Sequence, residues 1–207
     1  MARGSMLGLG LDIPRPQVVL GGAGSLGMLF KGDAASLPIS SDTFDLVLSL
    51  STFEHALDVD ALLSEIGRVL RVGGQALLTF EPVWSSPYGH HLHHFGDCAK
   101  VVPPWTHLTH TPEQFRVAMA DRWPANASVS LDEAIEWVYF DHEINRLTVW
   151  DYRERCRQSG LEIEWIVDLK EPNPDESAAK AAAATGFSVD DLCTKGLSVL
   201  FRKSASR

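Results

Sequence analysis

The stretch from Phe44 to Phe80 constrains the fold more than any other part of the chain. "FDLVLSL", Phe44 to Leu50, is a short apolar run after the turn-like "PISSDT", the pattern of a strand buried on both faces. In "DVDALLSEIGRVL" the residues Val59, Leu62, Leu63, Ile66, Val69 and Leu70 recur at helical spacing. Asp58 is placed to cap the helix N-terminus and Gly73-Gly74 to end it. "QALLTF", Gln75 to Phe80, then reads as a second strand. A strand, helix and strand in about forty residues form a βαβ unit, whose crossover makes the strands parallel and predicts a layered α/β sheet.

Flanking segments extend this pattern. "GMLFKGD", ending at Asp33, is a candidate strand, and "LGLGLDI", Leu7 to Ile13, a weaker one because its glycines favour turns. Downstream, Thr111, Pro112 and Gln114 predict one capped helix and Ser130 with Glu133 a second, whose apolar face is Leu131, Ala134, Ile135 and Val138. A longer helix is expected over roughly 141–158, ending at Gly160. "LEIEWIVDL" and "GLSVLFRK" read as late strands, and "EPNPDESAAKAAAATG" between them as a loop with a short Ala-rich helical turn.

Several functional classes are excluded by composition. A net charge of −9 removes the electrostatic basis for binding a nucleic acid. No apolar run approaches the roughly 20 residues that span a bilayer. Cys98, Cys156 and Cys193 are far apart and lack a C-x-x-C spacing, which fits a reducing, cytoplasmic setting rather than a disulfide framework. One domain, residues 6–207, is the expectation for 207 residues, with 83–140 as an insertion.

The segment "GHHLHHF", Gly89 to Phe95, holds four of the eight histidines, and His107 and His110 follow. In a helix, His90 and His94 share a face at i, i+4 and His91 and His94 at i, i+3, either pair able to grip a divalent metal; in an extended segment His91 and His93 align. A metal site would need further ligands from Asp97, Glu81, His107 or His110. The alternatives are a histidine-rich substrate wall together with aromatic residues such as Trp84, and a solvent-exposed structural run. The expectation is the substrate wall, without a metal. Gly22 to Gly27 spell G-x-G-x-x-G after the apolar "VVL", but a phosphate-binding loop needs a following helix, and only five residues separate Gly27 from Asp33. A glycine-rich turn fits better, which leaves a nicotinamide-dependent oxidoreductase as a distant reading.

The stretch Gly32 to Pro82 resembles the class I S-adenosylmethionine-dependent methyltransferases. In that family a Gly-Asp plus a small residue ends the third strand, "LPF..(D/N).FD" opens the fourth, "S....EH" follows it, and "E..RVL.PGG" closes the next helix. This chain carries Gly32-Asp33-Ala34, Leu37-Pro38 through Phe44-Asp45, Ser49 to Glu54-His55, and Glu65 to Gly74, with Val72 where proline is usual. The resemblance implies a Rossmann-like three-layer sheet ending in an antiparallel β-hairpin, and methyl transfer from S-adenosylmethionine to a small-molecule acceptor. It implies that Asp33 accepts the adenine amino group beside Ala34, that Asp12 holds the ribose hydroxyls next to Ile13, and that Ser49 lines the same crevice. His55 becomes the candidate base with Glu54 beside it, and Trp84, His90, His91 and His94 fall where the family builds its substrate lid.

The family's first strand and acid-x-G-x-G loop lie some twenty residues before the position of Asp12 in "GLDI", where this chain has eleven. The expectation is therefore an N-terminally shortened sheet, with a second copy or a partner chain covering the gap. A methyltransferase-like scaffold or metal-binding protein without transfer activity is the alternative.

Overall fold

The computed structural model describes residues 33–171 and 176–205, together with the backbones of residues 6–9, 17–20 and 26–30. Asp12, Ile13 and Gly22 to Ser25 lie outside the described residues.

Three early strands, β1 (Met6–Leu9), β2 (Gln17–Leu20) and β3 (Leu26–Phe30), form one sheet in the order β1-β3-β2. β1 runs parallel to β3 and β2 antiparallel to it. Gly27 therefore lies inside a strand, so no helix follows the G-x-G-x-x-G stretch as a phosphate loop requires.

The second sheet holds β4 (Phe44–Leu50), β5 (Leu70–Phe80), β6 (Glu162–Lys170) and β7 (Thr194–Arg202) in the order β4-β5-β7-β6. β4 and β5 are parallel, paired from Leu46 with Gln75 to Leu50 with Thr79. β7 lies antiparallel to both β5 and β6, giving the expected terminal hairpin.

The crossover helix, α1 (Val59–Val69), begins as expected, with the Asp58 carboxylate accepting from the Ala61 N–H. It ends differently. Gly73 and Gly74 do not cap it, because the chain passes directly into β5 at Leu70. The two glycines instead sit where the β4–β5 register slips between Phe44 and Leu46. Gly73 takes φ +82°, and a Cβ on Gly74 would come within 2.9 Å of the carbonyl oxygens of Arg71 and Phe44.

The apolar face of α1 meets α6 (Val149–Gln158) over one face of this sheet, burying Leu62, Leu63, Ile66, Tyr152 and Cys156 against Ala76, Leu78, Phe80, Leu197, Val199 and Phe201. Each large side chain fully buried there contributes roughly 1.5–3 kcal/mol. The opposite face presents Leu46, Leu48 and Leu50 of the edge strand β4 at half exposure or more.

α6 is shorter than the helix expected over 141–158. Thr148 caps it through a reciprocal box with Asp151, and Arg146 takes φ +56°, so residues 141–147 form a connecting loop. The Ala-rich segment departs the other way: α7 (Glu176–Thr185) is a ten-residue helix that buries Ala178 and Ala181.

Between β5 and α6 lie four helices, three of which share a small core with the Leu92 turn. They are α2 (Cys98–Val101), α3 (Thr106–Thr109), α4 (Pro112–Met119) and α5 (Leu131–Tyr139), the last two opening with the two expected capping boxes. Leu92, Val102, Phe115, Met119, Ala134, Ile135 and Val138 are buried together. The short α8 (Val189–Leu192) leads into β7.

Candidate active site

The C-terminal ends of parallel strands are where open α/β sheets bind ligands, and two segments meet there. Immediately after β4, Ser51 adopts φ +48° and a 3-10 turn carries Phe53, Glu54 and His55. After β5, the chain passes the cis Glu81–Pro82 peptide into Gly89 to Phe95, whose last four residues, Leu92–Phe95, form a second 3-10 turn. Left-handed backbone at Ser51 and at His91, φ +56°, puts unusual conformations at both entrances.

The second segment is neither the regular helix nor the extended strand considered from sequence. Its course divides the histidines into two sets. His90 is fully buried, its Nδ1 accepting from the Leu92 N–H and its ring 5.4 Å from that of His107. His91 and His94 turn towards His55, with ring centroids 5.0 Å and 6.1 Å from it. One nitrogen from each of His55, His91 and His94 lies within 4.8 Å of the other two.

Gly89 makes this course possible. A Cβ there would overlap the carbonyl oxygens of Trp84 and Val83, both backbone atoms. Gly89→Ala is expected to lower stability by about 2 kcal/mol through that overlap, measured by equilibrium denaturation; an unchanged midpoint would show that the segment bends elsewhere.

Burial governs the protonation of these groups. It pushes the Glu54 carboxyl up to about 7, with the Glu81 charge adding to the effect. Glu54 is 3% exposed and its Oε2 has no hydrogen-bond partner. Burial also drives His91 down to about 3 and lowers His94, so both imidazoles are neutral near pH 7.

Two backbone carbonyls orient the rings. His55 Nδ1 lies 2.6 Å from the Glu143 oxygen and His91 Nε2 2.9 Å from that of Pro82. Since a carbonyl only accepts, these nitrogens carry the protons.

The partner residues that build the site have no motif of their own in the sequence. Asn145, in the loop before α6, donates from Nδ2 to the Phe53 and Ala56 carbonyls, while its backbone N–H donates to Glu54 O. The Tyr152 hydroxyl lies 3.0 Å from the Phe53 oxygen. Trp84 stands half-buried between the His107 ring and the Arg146 guanidinium, which lies 5.6 Å from its centroid.

Asp33 and Ala34 occupy the turn that follows β3. Asp33 is exposed, and its Oδ1 accepts from the Ala35 N–H, leaving lone pairs on Oδ2 for another donor. The turn is held from α1: Glu65 accepts from the Leu37 N–H and from both Nε and an Nη of Arg68. That clamp is the structural use of the "E..R" spacing. Ser49 is half-buried in β4, paired with Leu78. No helix among the described residues is long and apolar enough to cross a membrane.

A family described as a methyltransferase domain matches residues 10–78. An uncharacterized methyltransferase of Mycobacterium sp. (strain JLS) is 30% identical over 115 residues, which are 54% of this chain and 43% of that protein. The chain thus spans less than half the length of that curated relative. Among solved structures, a SAM-dependent methyltransferase from Methanosarcina mazei superposes with a TM-score of 0.51 at 12% identity, covering 98% of this chain and 83% of that one. Another from Mesorhizobium loti gives 0.50 at 19% identity, over 95% and 79%. These two likenesses concern the fold. Residues 10–78 therefore match a methyltransferase-domain family, and the chain shares its fold with these two SAM-dependent methyltransferases.

Proposed function

We propose that the chain catalyses S-adenosylmethionine-dependent methyl transfer to a small-molecule acceptor. The observation that carries this reading is the Glu54-His55 pair, held just beyond β4 in a chain with the family's sequence pattern. S-adenosylmethionine supplies an electrophilic methyl group on a sulfonium. The protein's part is to align an acceptor with it and take the acceptor's proton.

The donor set fits the cofactor where it is described. Asp33 offers a free carboxylate edge to the adenine amino group, Ala34 a small surface beside the ring, and Ser49 a hydroxyl in the crevice. Asp12 and Ile13 take the ribose side in this proposal. His55, protonated on Nδ1 by its bond to Glu143, presents Nε2 to accept the acceptor's proton. Glu54, with its carboxyl near neutrality, is the second proton acceptor. Trp84, His91 and His94 line the acceptor side, and His90 lies buried behind them.

Calorimetric titration of the folded chain with S-adenosylmethionine and with S-adenosylhomocysteine tests this. Binding of both is expected, weakened about tenfold in Asp33→Asn, where an amide donor would face the adenine amino group, a loss of about 1.4 kcal/mol. A folded chain that binds neither would overturn the reading in favour of a methyltransferase-like protein without transfer activity.

A further inference from the structure

We propose that His55, His91 and His94 form a three-imidazole site for a divalent cation of the zinc class. The site goes beyond the methyl-transfer reading and does not rest on it.

Three observations carry it. First, each of the three rings offers a nitrogen within 4.8 Å of the other two, although helix α1 and strand β5 separate His55 from His91 and His94 in the chain. Second, His55 and His91 each spend one nitrogen on a backbone carbonyl, Glu143 O and Pro82 O. This is the outer-shell arrangement that orients metal-bound histidines, and it leaves the lone pair on the opposite nitrogen of each ring. Third, the nitrogen left over on His91, Nδ1, is buried without a hydrogen-bond partner, in a residue that is itself fully buried. An unpaired buried acceptor is destabilising, and a bound cation removes that cost.

The chemistry of the donors selects the ion. Neutral imidazoles suit Zn²⁺, Co²⁺ and Ni²⁺ rather than the oxygen-seeking Ca²⁺ or Mg²⁺. Tetrahedral zinc holds nitrogens at about 2.0–2.1 Å, hence about 3.3 Å from one another. Binding therefore draws the rings together by up to about 1.5 Å, and His94, exposed on its 3-10 turn, is the ring free to move. Three protein ligands leave a fourth position open for water or an anionic ligand atom, as in catalytic rather than structural zinc sites. With the ion bound His55 is a ligand, and the proton-accepting role proposed above belongs to the metal-free protein.

The test uses the full chain, purified without a metal-affinity column and stripped with a chelator. Zn²⁺ is titrated calorimetrically and Co²⁺ by visible absorption, whose intense bands report tetrahedral nitrogen coordination. One equivalent of each ion is expected to bind. His94→Ala should weaken zinc at least tenfold and abolish the cobalt bands while circular dichroism shows it folded. His93→Ala removes a neighbouring exposed imidazole outside the triad and should match the wild type. Absence of one-equivalent binding in the folded wild type would overturn the site, as would equal zinc affinity in His94→Ala or an equal loss in His93→Ala. Cofactor titration is read separately, so a failed methyl-transfer reading leaves this result intact.

Discussion

Asn145→Ala is expected to lower the unfolding free energy by about 3 kcal/mol and to loosen the turn that carries Glu54 and His55. The Asn145 amide closes three contacts at once: Nδ2 lies 2.7 Å from Phe53 O, 2.9 Å from Ala56 O and 2.8 Å from the Tyr152 hydroxyl. Its Oδ1 also accepts from the Leu147 N–H. Truncation leaves Ala56 O without that donor, and each buried polar group so stranded costs about 1–3 kcal/mol. Phe53 O keeps the Tyr152 hydroxyl, so the stranded groups are Ala56 O and the Leu147 N–H, and two losses in the lower half of that range give about 3 kcal/mol. For a domain of this size the loss corresponds to a fall in Tm of about 10 °C. Asn145→Asp separates the two ends of the amide. It keeps Oδ1 but turns the donor into a carboxylate facing carbonyl oxygens, so its loss should exceed that of alanine at pH 7. If Asn145→Asp is as stable as the wild type by thermal and urea unfolding, the donors do not hold the turn.

The contrast between this loop and the βαβ unit shows which physical signals a sequence carries. Strand and helix periodicity from Phe44 to Phe80 is a local pattern, so β4, α1 and β5 were legible, as were the capping boxes at Thr111 and Ser130. What misled was chemistry with two uses. Gly73-Gly74 suit a helix end and a strand irregularity equally, and the pairing of Phe44 with Leu70 selected the second. Asp141 to Leu147 has helical-looking composition, but Asn145 gains more from the Phe53 and Ala56 carbonyls than from a helix exterior, and Arg146 takes a left-handed φ. The alanines after Glu176 looked like a loop because their value lies in close packing, which only the finished structure displays. The histidines illustrate the same limit. The i, i+3 spacing of His91 and His94 was visible, whereas their convergence with His55 depends on how two strand ends approach each other.

His107 makes the fold acid-sensitive in a stated window. Its ring is 3% exposed, with Nε2 2.7 Å from the Trp84 carbonyl and Nδ1 buried without a partner. A proton on Nδ1 would place a charge where nothing solvates it. Burial accordingly lowers the pKa from 6.5 to about 4, against a small opposing effect of the Trp84 bond. Because the folded value is depressed, the unfolded chain takes up the proton first as pH falls. The group's contribution is complete above pH 6.5 and is lost between about 6.5 and 4. At 1.36 kcal/mol per unit this amounts to about 3 kcal/mol. His107→Gln retains an N–H for Trp84 O and cannot charge, so its stability should fall less than the wild type's over that interval, by about 3 kcal/mol. Urea unfolding of both proteins at pH 7.5 and pH 4 measures the difference of differences, in which the remaining histidines cancel. Parallel curves would mean that His107 is solvated or repartnered when protonated, and that Trp84 and its neighbours yield to the charge rather than resist it.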